Sequence, residues 1–156
     1  MRGLYTSQQK TKLATIMSQK PSMLIVDSRA RLPGGSIDQF QIRITPAIEG
    51  VRGVSLLYAS LANPDDNEAE LYWLVRIREF GPPVRSAASS DSSSFVVPVS
   101  SSQGFRSLHA AESAFNRLEI QSPTQPIYSL NVEIGLPGGG RPRMTDEFVL
   151  IIGLEY

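Results

Sequence analysis

From Met23 to Tyr156 the chain is a succession of short apolar or alternating runs cut by Gly, Pro and Ser. The first, MLIVDS from Met23, is apolar and β-branched, and the turn Leu32–Gly35 (LPGG) bounds it. Ser36–Thr45 then alternates. Phe40, Ile42 and Ile44 share one face and Gln39, Gln41 and Arg43 the other, which predicts a half-buried strand beginning after a slip at Ile37. Val51–Pro64 predicts a third strand, stopped by Asn63-Pro64. Leu71–Phe80 predicts a fourth, with Trp73, Val75 and Ile77 on one face and Tyr72, Leu74, Arg76 and Arg78 on the other, ended by Gly81-Pro82-Pro83. Ser94–Ser100 reads as a short strand that Pro98 places at an edge or bulge. RLEIQS from Arg117, IYSLNVEIGL from Ile127 and EFVLIIGLEY from Glu147 complete the series. The unbroken apolar run Val149–Ile152 predicts a central strand buried on both faces.

Two stretches have a helical period instead. Residues 6–19 place Leu13, Ile16 and Met17 together and predict one or two turns before Pro21. Residues 105–118 place Phe105, Leu108, Phe115 and Leu118 together and predict one short helical insert. Between strands lies VRSAASSDSSS, read as a low-complexity polar loop. About eight short strands with no βαβ rhythm predict an all-β fold, an antiparallel β-sandwich of jelly-roll or Ig-like type, and the strand count with a helical insert in the second half favours the jelly roll. The organisation expected is a basic N-terminal arm over 1–21 and one sandwich domain over 22–156.

The charge distribution adds to this picture. Fifteen Lys+Arg balance fifteen Asp+Glu, so the net charge is zero. The balance is uneven along the chain: Arg2, Lys10, Lys12 and Lys20 precede the first acid, Asp27, giving the arm +4. Residues 27–156 hold the other 11 cations, all Arg, and all 15 acids, a net of −4. Arginine is the cation suited to bidentate contacts at packed interfaces. The split reads either as compositional bias or as an arm that crosses onto a neighbouring subunit or an acidic surface, with salt screening limiting its reach. Direct nucleic-acid contact is not expected from four charges. No apolar run approaches the roughly 20 residues that span a bilayer, and the N-terminal residues lack the apolar stretch of a secretory signal.

Catalytic signatures are lacking in the sequence. It has no Cys, which excludes disulfides, thiolate metal sites and a cysteine nucleophile. The single His109 has no second His to share a metal and reads as structural. The acids Asp65, Asp66, Glu68 and Glu70 cluster without the order of a calcium loop and read as a solvated turn. Neither LPGG string, at Leu32 or at Leu136, continues into a phosphate loop, so both read as tight turns with Gly at positive φ. Nine serines lie between Ser86 and Ser102, none in a G-x-S-x-G elbow. The chain is expected not to be an enzyme and to need no cofactor.

One region resembles a known family. Asp27-Ser28-Arg29-Ala30-Arg31 is followed by Ser36 and the strand Phe40-Gln-Ile42-Arg-Ile44, then by Val51-Arg-Gly-Val54-Ser-Leu56 and the turn Ala62-Asn63-Pro64. This order resembles small β-sandwich minor capsid and penton-like vertex proteins of double-stranded DNA viruses and phages. Their strands carry an Asp-Ser-Arg-Asp-Arg-like string, a Ser-x-x-Phe alternating strand and an Ile-Pro-Asn-like turn. Ala30 stands here for the family's second Asp, and the turn is reordered. Ser94–Ser100, Gly104-Phe105, Leu108–Leu118 and the final strands from Leu130 are similar to the family's later elements.

The resemblance implies a structural subunit of the virion, made in the host cytoplasm, with no catalytic residues. Its partners would be copies of itself and other capsid or tail proteins. The candidate assembly contacts are Arg2, Lys10, Lys12, Lys20, Arg29, Arg31, Arg141 and Arg143. The alternative is a receptor- or carbohydrate-binding module of a spike or tail, which needs exposed aromatics; Tyr72 and Trp73 are the only adjacent pair.

Overall fold

The computed structural model describes residues 22–62, 72–81, 84–85, 92–93, 95–98, 105–107, 117–120, 125–144 and 146–156. The strands are β1 (Met23–Asp27), β2 (Gln39–Ile48), β3 (Gly53–Ala62), β4 (Tyr72–Ile77), β5 (Val84–Arg85), β6 (Ser92–Ser93) and β7 (Phe95–Pro98). They continue as β8 (Phe105–Ser107), β9 (Arg117–Glu119), β10 (Ile127–Gly135) and β11 (Val149–Glu155). No α-helix occurs among the described residues; Ser28–Ala30 and Arg78–Phe80 form 3-10 turns.

The strands form two main antiparallel sheets, ordered β1-β11-β3 with β8 and β9 both on the far side of β3, and β2-β10-β4-β7, and a third, two-stranded sheet of β5 and β6. Since β8 and β9 share one edge position, each main sheet is four strands wide. The pairing is nested. The first strand pairs with the last, β2 with β10, β3 with β8 and β9, and β4 with β7. A long hairpin rolled up in this way is a jelly roll. It leaves the 27–31 corner beside 146–148, because β1 ends where β11 begins.

Alternation decides which residues enter the core. Val54, Leu56, Leu150 and Ile152 of the first sheet face Ile42, Trp73, Val75 and Leu130 of the second, and all are buried in one cluster. Phe40 and Phe148 cross the sandwich with ring centroids 5.7 Å apart, tilted by 54°. That separation lies within the favourable range for tilted aromatic pairs. Gln41 and Arg43 turn outward as the pattern predicts, and Gln41 Nε2 donates to Ser129 Oγ at 3.1 Å.

Several expectations are corrected. The helix predicted over 105–118 is replaced at both ends by strands, β8 and β9, because both segments pair with the same free edge of β3. Two ladders of backbone hydrogen bonds to β3 outweigh a weak helical period. Residues 108–116, with His109, lie outside the described residues. The fourth strand stops at Ile77, and residues 78–80 leave the sheet as a 3-10 turn. Val149 and Ile151 are not buried: β11 is central, but only its inner face is fully covered. Leu74 departs in the other direction. It lies on the outer face of β4 yet is buried, beside the turn that carries Leu136 and Gly140. Within the predicted serine loop, Val84–Arg85 pairs with Ser92–Ser93.

Both LPGG turns behave as read. Gly34 has φ 93°, and Gly139 and Gly140 have φ 91° and 87°, a region open to glycine at little cost. The turns are closed by Gly35 N–H to Leu32 O at 3.3 Å and Gly139 N–H to Leu136 O at 3.1 Å.

Candidate functional site

The polar chemistry of the described surface gathers in two places. The first is the corner where β1 runs into its 3-10 turn. Asp27 caps that turn by accepting from Arg29 N–H at 2.9 Å, and its carboxylate also accepts from Arg29 Nε and Nη2 at 2.9 and 2.5 Å. Ser28 is 0% exposed. Its Oγ accepts from Phe148 N–H at 2.9 Å and donates to the Glu147 carboxylate. Arg31 Nη1 closes the corner, donating to both Glu147 oxygens at 2.6 and 2.7 Å and to Ser28 O at 2.9 Å. The Asp-Ser-Arg-Ala-Arg string is thus a structural clamp that ties the first strand to the last.

The clamp shifts its own ionisations. The hydrogen bonds from Arg31 and then Ser28 hold the Glu147 carboxyl below the usual glutamate value of 4.5. Those from Arg29 likewise hold Asp27 below 3.8. Lowered carboxylate pKa values contribute stability that is complete above the unfolded values and is lost as pH falls through the folded ones. Unfolding free energy is therefore expected to be level down to about pH 5 and to fall below about pH 4.5. In Glu147→Gln part of that acid dependence disappears, which urea midpoints measured from pH 3 to 6 would reveal; an unchanged slope would rule out this carboxylate as a source.

The second place is the outer face of the β2-β10-β4 sheet. Arg76 Nη1 lies 3.2 Å from Glu133, and Arg141 lies 3.8 Å from Asp38 and 4.0 Å from the other oxygen of Glu133. Glu79 accepts from Asn131 N–H at 2.9 Å and from its side-chain amide at 2.6 Å. A cleft of about 520 Å³ opens here, lined by Gln39, Arg76, Arg78, Asn131 and Glu133 among others. Its donors and acceptors suit a polar or charged surface. Among the described residues no group of three His, Cys, Asp or Glu side chains is placed to hold a metal.

The predicted contact residues are therefore dispersed. Arg29 and Arg31 meet at the clamp, with Arg29 much the more exposed at 72%. Arg141 joins the sheet-face network, and Arg143 is exposed two residues later. Arg2, Lys10, Lys12 and Lys20 lie outside the described residues, as do the helical period over 6–19 and the acids Asp65 to Glu70. The pairing of Ser28 with Glu147 is not legible in the sequence, since it spans 119 residues and leaves no local signal. The exposure of Met23 and Ile25, 58% and 65%, is not legible either. The apolar run that contains them predicts a strand and carries no sign of which face is exposed.

Compared with known proteins, the chain matches no family model and no curated protein.

Proposed function

We propose that the chain is a structural virion protein, a minor capsid or penton-like vertex subunit that packs into a symmetric shell through its loops and N-terminal arm. The observation that carries this reading is the nested strand order of a jelly roll. The fold is a rigid wedge whose edges and ends are available for packing against copies of itself. The string on which the family resemblance rests supports the reading, because it joins β1 to β11 and so stiffens one end of the wedge. Arginine as the only cation of residues 27–156 suits bidentate contacts between subunits, and the arm of +4 complements a body of −4. Copies of the chain and other capsid or tail proteins are the partners, and the virion is the location.

The receptor- or carbohydrate-binding alternative draws on Tyr128, which is 66% exposed on β10. Trp73, the larger of the two adjacent aromatics, is in the core at 2% exposure. Size-exclusion with light scattering, followed by electron microscopy, separates the two. The subunit reading expects closed oligomers or incorporation into particles, reduced when residues 1–21 are removed and weakened by salt. A chain that stays monomeric at high concentration and never enters a particle overturns it, and selective glycan binding by that monomer would favour the alternative.

A further inference from the structure

The open edge of β1 differs from the other sheet edges. Edge strands expose unpaired backbone groups, and proteins blunt them with proline, charge or extreme shortness. Here β2 carries Pro46, β7 ends in Pro98, and β8 and β9 are three residues each, with exposed Arg117 and Glu119 on β9. β1 is the least protected of them, with a single charge, Asp27, at its last position. It is Met-Leu-Ile-Val-Asp, without proline or cation, and Met23 and Ile25 are its exposed side chains.

The ladder with β11 shows which backbone groups face outward. Leu154 N–H donates to Ser22 O at 2.9 Å, and Ser28 N–H donates to Phe148 O at 3.0 Å. Hydrogen-bonded and non-bonded pairs alternate in an antiparallel ladder. Ser22, Leu24, Val26 and Ser28 thus spend their groups on β11. The N–H and C=O of Met23, Ile25 and Asp27 point to the open side, where no strand is present among the described residues.

We infer that this edge pairs with the same edge of a second copy, antiparallel about a two-fold axis at Ile25, joining two sheets into one. Three features of the strand select a second copy as the occupant. All three outward-facing residues find hydrogen-bonding partners when Ile25 faces Ile25 and Met23 faces Asp27 across the axis. On the outer face the two Ile25 side chains meet, flanked diagonally by the two Met23. On the inner face the half-buried Leu24 of each copy comes to the rim of the joint, beside Val26, which is already fully buried within its own sandwich. A partner strand must be apolar on both faces around the axis, and β1 is such a strand from Met23 to Val26.

The area covered sets the strength. A five-residue edge with two exposed apolar side chains covers roughly 300 Å² per copy, about half of what a stable specific interface needs. The contact is therefore weak between free molecules and is consolidated where copies are held together, as the subunit reading supposes; the inference rests on that reading for its setting, not for its geometry.

The cysteine-free chain makes the test clean. In Ile25→Cys the only two thiols of a pair meet across the axis, at a Cα spacing of about 5.5 Å that a disulfide accepts. Tyr128→Cys, equally exposed at 66% on the other sheet, is the control. Under mild oxidant at high concentration, Ile25→Cys should form a covalent dimer at least about tenfold faster than Tyr128→Cys, since pairing raises its local concentration. Adding Met23→Lys to the same chain should abolish that advantage while circular dichroism stays native. Equal rates for the two cysteines, or an advantage that survives Met23→Lys, overturn the inference. Particle formation is read separately. Closed particles from Ile25→Lys together with equal cysteine rates leave the subunit reading standing without this edge. Fast cross-linking by a chain that forms no particles leaves the edge contact standing without the shell.

Discussion

Replacing Trp73 with alanine is expected to be the most damaging single substitution in the sandwich. Trp73 is the second residue of β4, paired with Val97 of β7, and is among the largest fully buried side chains. Its neighbours come from both sheets, so no single loop can collapse into the space it vacates. Removing a buried tryptophan costs about 3–5 kcal/mol, from lost transfer energy and the cavity left behind. Domains of this size are stable by about 5–15 kcal/mol, so roughly a fifth or more of the total is at stake. Urea unfolding followed by circular dichroism gives the number, and because Trp73 is the only tryptophan, wild-type fluorescence reports the same core. Trp73→Phe keeps most of the ring and should fall between the two. A loss below about 1 kcal/mol for alanine would show that the core relaxes around this position, contrary to the close packing of protein interiors.

The second large effect is expected at the clamp. In Ser28→Ala the Phe148 N–H loses the hydroxyl it donates to at 2.9 Å, in a place where both residues are buried and water does not substitute. Leaving a buried donor unpaired costs about 1–3 kcal/mol. Arg31 still holds Glu147, so the corner loosens without losing its charge pair. Arg29→Ala is the contrast. That side chain contacts only Asp27 among the described residues and is largely exposed, where ion pairs contribute little. Thermal or urea unfolding should rank Ser28→Ala well below wild type and Arg29→Ala indistinguishable from it. If the two variants behave alike, the buried hydroxyl is not what ties β1 to β11. A Ser28→Ala/Glu147→Gln double mutant should lose less than the sum of the singles, because both remove parts of one network.

The strands were legible because their signal is local. Phe40-Gln-Ile42-Arg-Ile44 alternates with the two-residue period of a strand, and nothing distant is needed to see it. The same holds for Trp73, Val75 and Ile77, and for the glycines that turn the chain at Gly34 and Gly139. The helix expected over 105–118 shows the limit. Phe105 and Leu118 do satisfy a helical period, but each sits in a segment that pairs with β3, and a periodicity count contains no information about an available edge. Val149–Ile152 shows it again. A continuous apolar run suits a strand covered on both sides, yet in this fold the outer face of β11 is only half-buried, beside side chains such as Leu57.

The candidate site divides along the same line. The arginines of the 27–31 string could be singled out as charged groups in an unusual cluster, whereas their use could not. Asp27 and Arg29 pair within two residues, a contact that sequence allows; Ser28 and Arg31 meet Glu147 only because the last strand returns beside the first. Exposure is the extreme case. Met23, Leu24, Ile25 and Val26 are equally apolar in sequence, and the fold buries Val26 while leaving Ile25 in solvent at the edge of a sheet.

By itself, then, the sequence determined the strands, the turns, the inward faces and the segregation of charge into arm and body, since each depends on residues within a few positions of one another. The tertiary structure alone decided the nested pairing, the clamp around Ser28 and the edge that is left open. These depend on which segments distant in the chain, from tens of residues to more than a hundred apart, become neighbours, and that choice is made by the balance of burial and backbone pairing over the whole sandwich.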